Sequence, residues 1–222
     1  MKIVILGDSV TEGCFELFPT EKGFDTVRDK EACYASILQR RFRELHPEKD
    51  VEIINAGISG NSAEDGLRRL ERDVLSKEPD AAVVCFGLNS AVTPEQFAAT
   101  MGEIFRKLTE RGIRTVFMTP NMMSTYVPAD MPDYLVNAAG ACTKRQVNGD
   151  MDRRMEAGIR AAEQYGVTVC DAYGVWKKWA SYGIDTTELL SNQINHPKRE
   201  THRMFADLLY PVLERFLQES GE

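Results

Sequence analysis

Short apolar runs rich in β-branched residues alternate with longer amphipathic segments along this chain. Runs that are apolar nearly throughout are typical of strands covered on both faces in a parallel sheet. The pattern predicts five such strands, at Lys2–Leu6, Val51–Asn55, Ala81–Phe86, Arg114–Thr119 and Gly166–Ala172.

Between and after these strands, apolar positions recur with the period of a helix. Thr93 followed by Pro94 and Gln96 is a helix start, with a capping hydroxyl, a proline in the first turn and a capping-box partner. Strict alternation of five strands and five helices predicts an α/β fold, a three-layer α/β/α sandwich with a five-stranded parallel sheet. No repeat or linker divides residues 1–222, so we expect a single domain. The predicted helices are Glu31–Leu45, Ala63–Ser76, Pro94–Arg111, Val147–Tyr165 and Lys198–Gln218.

Composition narrows the partners of the chain. The net charge of −7 arises from 34 acidic and 27 basic residues mixed along the sequence, which favours neither nucleic acid nor an anionic membrane. A small molecule is the expected partner. The five cysteines are widely spaced with no C-x-x-C pair, and the start MKIVILGDS enters a strand at once without the pattern of a signal peptide. With no apolar run near the ~18 residues of a membrane span, we expect a soluble, cytoplasmic protein.

Small and polar residues follow the first three predicted strands, in the segments GDSVTEG, AGISGNS and GLNS. Ligands of parallel α/β sheets bind at the carboxyl ends of the strands, which makes these segments the candidate site. Ser9 lies directly after the first strand, but a serine hydroxyl is a weak nucleophile unless a base takes its proton. A turn with a helix cap explains Gly-Asp-Ser equally well at this point.

The three histidines are the candidate bases. His46 follows a charged helix and precedes a turn, which predicts a solvated side chain. His196 precedes Pro197 at the start of the last helix, whose positive N-terminal end disfavours an imidazolium and keeps the ring a neutral base. His202 lies six residues further on, off the face of His196, and is predicted to be a structural hydrogen-bonding residue. The spacing is not that of a metal site.

Four separated blocks, GDSVTEG, NAGISGNS, GLNS and NHP, resemble those of the SGNH hydrolase (GDSL esterase/lipase) superfamily in order and approximate spacing. The resemblance implies a flavodoxin-like sandwich, Ser9 as nucleophile and His196 as general base. It also implies an oxyanion hole formed by the backbone N–H groups of Ser9 and Gly60 and the side-chain amide of Asn89. Where the family usually has an aspartate after the asparagine, this chain has Ser90.

The third member of the family's triad is missing. The family usually has an aspartate three residues before the histidine, and here that position is Gln193. Asn195 lengthens the loop by one residue, so Asn192 takes the place of the acid as a neutral group that orients His196. Backbone carbonyls of Ser191–Asn195 are a further source of the orienting bond.

Two acids upstream, Asp185 and Glu188, are less favoured alternatives for that third member, because apolar residues separate them from the histidine. The resemblance implies a serine esterase that needs no metal or organic cofactor. An acyltransferase or thioesterase using the same site, and a binding module that has lost catalysis, are the alternative functions.

Two long segments rich in aromatic residues and methionine follow the nucleophile and the fourth strand. Such segments are typical of pocket walls and lids, and they serve equally well as a contact between subunits, so a homo-oligomer is an open alternative. Trp176 and Trp179, three residues apart, favour the packing edge of a helix over a sugar-binding platform. A cytoplasmic member is expected to cleave small esters, acetylated sugars among them. The aromatic and methionine residues of the two long segments that could form a pocket wall or a subunit contact are Phe15, Phe18, Met122, Met123, Tyr126 and Tyr134.

Overall fold

Seven strands form two sheets in the computed structural model, which describes residues 1–219. Five strands form one parallel sheet, and the other two form an antiparallel hairpin. In chain order the strands are β1 (Lys2–Gly7), β2 (Cys14–Thr20), β3 (Gly23–Arg28), β4 (Glu52–Gly57), β5 (Ala81–Cys85), β6 (Arg114–Met118) and β7 (Thr168–Cys170). The order in the large sheet is β4-β1-β5-β6-β7, and β2 pairs with β3. The predicted three-layer sandwich with a flavodoxin-like sheet is confirmed.

Helices cover the sheet in two groups. Helices α2 and α7 both contact α8, and α4 contacts both α3 and α6 in the second group, to which α5 is joined through α6. No helix within residues 1–219 combines the length and the apolar character that crossing a membrane requires. The helices are α1 (Ser9–Glu12), α2 (Tyr34–Leu45), α3 (Ala63–Asp73), α4 (Pro94–Thr109), α5 (Asp133–Val147), α6 (Asp150–Gln164), α7 (Ala172–Ser181) and α8 (Arg199–Glu219), with a 3-10 turn at Leu75–Lys77.

The predicted elements differ from the observed ones in three places. The fifth strand is shorter than predicted, because only three of its residues pair with β6 before Asp171 caps α7. The two long segments expected to be connections contain the β2–β3 hairpin and helix α5. The capping box at Thr93 is present as predicted, and Trp176 is buried in α7.

A second apolar cluster beside the main core positions the hairpin and α5. Met131, Leu135 and Ala139 pack with Ile194, and Leu17 of β2 packs against the same group. These contacts are made between residues far apart in the sequence. They hold the hairpin and α5 next to the loop that carries His196.

The carboxyl ends of the three central strands lie side by side. Gly7, the last residue of β1, pairs with Gly57 of β4 and with Cys85 of β5. A Cβ atom on Gly7 would lie 2.0 Å from the Thr11 hydroxyl oxygen, so no larger residue fits where the chain turns into α1. The segments that follow these strands therefore meet at one edge of the sheet.

Candidate active site

Ser9 is the first residue of α1, directly after β1. Asp8 caps this short helix, and its Oδ1 accepts the backbone N–H of Val10 at 3.0 Å. The side chain of Ser9 is almost fully buried, at 2% exposure. Its hydroxyl oxygen lies 3.0 Å from Nε2 of His196.

The hydrogen bonds of His196 define its neutral tautomer. Nδ1 lies 2.8 Å from the backbone oxygen of Phe15, in strand β2. Because a carbonyl oxygen can only accept, Nδ1 carries the proton and donates it to Phe15. In the neutral ring Nε2 is therefore an acceptor, and the Ser9 hydroxyl donates to it. This is the arrangement that a general base for Ser9 requires.

The sequence predicted that Asn192 orients His196, but within residues 1–219 the ring of His196 bonds to Phe15 and Ser9 and not to Asn192. Its Oδ1 accepts three backbone N–H groups, those of Ile194, Asn195 and His196, at 2.9–3.0 Å. Asn192 therefore holds the loop in shape. The orienting bond comes from a backbone carbonyl, but from Phe15 and not from Ser191–Asn195.

The two upstream acids bond elsewhere. Asp185 is exposed and accepts from the hydroxyl of Tyr126 and from backbone N–H groups in its own turn. Glu188 is also exposed and accepts from the amide of Gln193. Within residues 1–219 neither carboxylate bonds to His196.

Three groups predicted for the oxyanion hole line the same cavity as His196. Gly60 has φ +78, a left-handed conformation that favours glycine. Within residues 1–219 the backbone N–H groups of Ser9 and Gly60 donate to no other group. The Asn89 amide donates one hydrogen to the carbonyl of Asn61 at 3.1 Å, and its nitrogen has a second hydrogen to give.

Two buried arginines, which no sequence motif indicated, form hydrogen bonds to the backbone around the loops of the site. Arg69 of α3 donates to the carbonyls of Gly7 and Ala56, both at 2.7 Å, and to the side chain of Asn61 at 2.8 Å. It therefore ties the end of β1 to the loop after β4. An arginine on the helix face of Gly66 and Leu70 was the available signal.

Arg154 of α6 has the same role at the loop after β5, which carries Asn89. Its guanidinium donates to the carbonyls of Gly87 and Val92, at 3.1 and 3.0 Å, on either side of Asn89. Burial lowers the pKa of Arg154. The segment that presents Asn89 is thus fixed at both ends.

Burial has opposite effects on the two ionisable groups nearest to Ser9. It lowers the pKa of His196, against the raising effects of the Phe15 hydrogen bond and of the Glu16 and Glu12 charges. It raises the pKa of Asp8 to about 7. Burial, and not the helix terminus proposed from the sequence, is the largest cause of the low pKa of His196.

The remaining histidines lie outside the site. His202 is buried, and its Nδ1 accepts the backbone N–H of Tyr34 at 3.2 Å, as expected for a structural residue. Burial lowers the pKa of His202 to about 3, so the ring is neutral. His46 was predicted to be solvated, but its Nε2 bonds to Tyr210 and Glu214 of α8, both at 2.9 Å.

A cavity of about 290 Å³ opens onto the Ser9–His196 pair. Leu17, Ala138, Cys142 and Ile194 form an apolar part of its wall. Further residues of the hairpin and of the site loops complete the lining. They are Phe24, Asp25, Thr26, Ser59, Gly60, Asn89 and Asn195. The hairpin and α5 line this cavity, but the six aromatic and methionine side chains singled out in the sequence are not among the lining residues that the structure describes.

A flavodoxin-like sheet with a hydrogen-bonded serine and histidine at its carboxyl edge is the arrangement of the SGNH class of ester hydrolases. The model of the GDSL-like lipase/acylhydrolase family matches residues 5–204. The chain belongs to this family, and the resemblance predicted from four sequence blocks is confirmed.

Known proteins similar to this chain include esterases. An acetylxylan esterase of Geobacillus stearothermophilus is 32% identical over 89 residues, which are 40% of this chain and 39% of that protein. The chain thus aligns with less than half of that relative. Two crystal structures show the fold: a lipase/acylhydrolase from Enterococcus faecalis and the acetyl xylan esterase AlAXEase, both with a TM-score of 0.69. Their sequence identities are 20% and 21%, with 96% of this chain and 94% and 99% of theirs covered.

Proposed function

We propose that the protein hydrolyses small carboxylic esters with Ser9 as nucleophile and His196 as general base. The observation that supports this most strongly is the chain of two hydrogen bonds from Ser9 through His196 to the Phe15 carbonyl. A neutral base is thereby aligned on a hydroxyl that faces a cavity. These are the elements of serine-dependent acyl transfer.

In the proposed mechanism, Ser9 Oγ attacks the acyl carbon while its proton passes to Nε2 of His196. The negative charge that develops on the substrate oxygen is stabilised by the N–H groups of Ser9 and Gly60 and by the amide of Asn89. His196 then gives the proton to the departing alcohol. A water molecule repeats these steps on the acyl-enzyme and releases the acid.

A carbonyl as the third member supplies orientation but no full charge. The imidazolium formed during the reaction therefore lacks the adjacent carboxylate of a complete triad. Glu16 and Glu12, whose charges raise the pKa of His196, are carboxylates that act on the ring from a greater distance. We therefore infer a dyad with an oriented base.

Alanine in place of Asn89 should lower kcat by about 10²–10³, or ~2.7–4 kcal/mol, with little change in KM. The amide is needed chiefly when charge develops on the substrate oxygen. Steady-state kinetics with p-nitrophenyl acetate measures both constants. An unchanged kcat with a raised KM would make Asn89 a residue that binds the substrate in its ground state.

The pH dependence of kcat/KM should follow the loss of the proton from His196. Because burial lowers the pKa of His196 below its ordinary ~6.5, activity should rise through mildly acidic pH and be level by neutrality. Burial raises the pKa of Asp8 to about 7, so Asp8 also titrates in this range.

Asp8→Asn separates the two groups, since asparagine keeps an oxygen for the N–H of Val10 but cannot ionise. The rise of kcat/KM through mildly acidic pH, which we call the acidic limb, should persist in this variant. Loss of the limb would assign it to Asp8, and a limb centred well above ~7 would show that a carboxylate supports the base.

The cavity supports a small ester as substrate. Its volume of about 290 Å³ lies just below the ~300–1,000 Å³ usual for small-molecule sites. An acyl group would pack on the apolar wall formed by Leu17, Ala138, Cys142 and Ile194. The similarity to an acetylxylan esterase supports acetylated carbohydrates among the candidates.

A series of p-nitrophenyl esters from acetyl to palmitoyl tests this inference. We expect kcat/KM to be greatest for short acyl groups and to fall at least about tenfold by the octanoyl ester, because longer chains exceed the cavity. Cys142→Phe should fill the apolar wall and shift the preference further towards acetyl.

Val136→Phe is the matched control, since Val136 is exposed on the same helix. It should leave the chain-length profile unchanged. A preference for long chains in the wild type, or equal effects of the two substitutions, would contradict the acyl role of this wall.

Methanol or glycerol added as an acceptor distinguishes a hydrolase from an acyltransferase, and an acyl-thioester series identifies a thioesterase. The cytoplasmic location stays a prediction.

A further inference from the structure

We propose that Arg199 is a positioning residue that holds the Phe15 carbonyl on His196, so that this carbonyl can take the place of the missing acid. The inference rests on the proposed function, because it concerns the same base. Arg199 is the first residue of α8, three positions after His196. The segment that carries the base thus also carries the residue that fixes the partner of the base.

The carbonyl in question belongs to the peptide unit between Phe15 and Glu16, and Arg199 contacts both residues. Its guanidinium carbon lies 4.3 Å from the centre of the Phe15 ring. Its two terminal nitrogens donate to the two carboxylate oxygens of Glu16, at 2.5 and 3.1 Å. The ring contact and the bidentate pair restrain the two residues that this peptide unit joins.

Further contacts restrain these residues. We call Phe15, Glu16, Asp29 and Arg199 the Arg199 cluster. Arg199 Nε donates to Asp29 at 3.1 Å, which ties the helix to the segment after the hairpin. The ring of His202 lies 5.0 Å from that of Phe15. The cluster therefore joins β2, the loop after β3 and the N-terminus of α8.

The position of this carbonyl is important because nothing covalent fixes it relative to His196. The two residues are 181 positions apart in the sequence. A shift of the β2 backbone by a fraction of an ångström would lengthen the bond to Nδ1 and let the ring rotate away from Ser9. Errors of about 1 Å at a reacting group can cost about 10² in rate.

Arg199→Met tests the proposal, since methionine keeps an apolar stem but loses the ion pair. We expect kcat for p-nitrophenyl acetate to fall by about 10- to 100-fold, with KM changed less than about twofold. Glu16→Gln should cost less, and Arg199→Lys should recover part of the loss. Because the two side chains act as a pair, the double variant should be little worse than Arg199→Met.

Arg41→Met is a matched control. Arg41 also pairs with an acid, Asp207, and also lies over an aromatic ring, that of Tyr210 at 5.3 Å, but it joins α2 to α8 away from the site. It should leave kcat unchanged. Equal losses from Arg41→Met and Arg199→Met would indicate general destabilisation of α8 and overturn the proposal.

Proton NMR of protein labelled with ¹⁵N-histidine reads the proposed contact without any substrate. The Nδ1–H of His196 should give a downfield signal that is absent in His196→Ala. It should weaken or move upfield in Arg199→Met and stay in Arg41→Met. An unchanged signal and rate in Arg199→Met overturn this inference alone. A wild type with no Ser9-dependent hydrolysis but with the expected NMR changes would instead contradict the proposed function.

The acidic limb of kcat/KM gives a second readout that a purely structural role would not move. Glu16 raises the pKa of His196, so Glu16→Gln should shift the limb to lower pH. Arg199→Met leaves that carboxylate in place without its partner, and its limb should not move to lower pH. Identical shifts in the two variants would contradict the assigned roles.

Discussion

Alanine in place of Ser9 is expected to lower the turnover of p-nitrophenyl acetate by more than about 10³-fold, while the protein keeps its fold. The hydroxyl of Ser9 bonds to His196 and makes little contribution to the main apolar core. The loss should therefore appear in kcat, with thermal unfolding close to that of the wild type. Steady-state kinetics and a melting curve measured on the same preparation check both parts.

Residual activity above about one part in a thousand would mean that another nucleophile acts. Cys14 is the cysteine nearest to Ser9 in the sequence, but it is buried, and burial raises the pKa of its thiol to about 11. A thiol with such a pKa is a poor nucleophile near neutrality. Cys14→Ala should therefore retain activity, which makes it the control for Ser9→Ala.

His196→Ala is expected to cost at least about 10³ in kcat/KM, because no other titratable group bonds to Ser9 in the part of the chain that the structure describes. Activity should not return at high pH if the base itself is missing. The measurement is a pH profile of kcat/KM for the variant and the wild type.

Asn192→Ala provides the contrast within the same loop. Asn192 accepts three backbone N–H groups, and the described hydrogen bonds of the His196 ring go to Phe15 and Ser9, so the loss of Asn192 should cost only about tenfold. Asn192→Asp keeps an oxygen for those N–H groups and should be milder still. If Asn192→Ala were as damaging as His196→Ala, the orienting role of the Phe15 carbonyl would be wrong.

The central sheet was predictable because most of its strands are recognisable from their own apolar residues. β1, β5 and β6 are buried along nearly their whole length, and such strands appear in the sequence as continuous apolar runs. The residues after β1, β4 and β5 were equally predictable as site residues. They follow from the rule that ligands bind at the carboxyl edge of a parallel sheet.

The hairpin and α5 depend on long-range contacts that leave little local signal. β3 is exposed at five of its six positions, so it lacks the apolar alternation of a half-buried strand. Helix α5 follows Pro132 and buries few of its residues. Both elements are held by the cluster around Leu17, Met131 and Ile194, which forms only when the chain is folded.

The partner of His196 had no sequence signal at all. Every residue has a backbone carbonyl, so no feature of the amino-acid sequence distinguishes Phe15 as the acceptor for Nδ1 of His196. Side-chain motifs singled out Ser9 and His196, which the structure places within hydrogen-bond distance, and Asn192, which bonds to the backbone of its own loop. The absence of an acid was visible in the sequence, but the group that replaces it lies 181 positions away.

The central claim is that Ser9 is a nucleophile activated by His196, and covalent labelling tests it most directly. Wild-type protein, Ser9→Ala and His196→Ala would be treated with a fluorophosphonate, and the modified peptides mapped by mass spectrometry. The account predicts one adduct per wild-type chain, on Ser9, no adduct in Ser9→Ala and a rate at least about 10³-fold lower in His196→Ala. An unlabelled wild type, an adduct on another residue, or equal labelling of His196→Ala would contradict it.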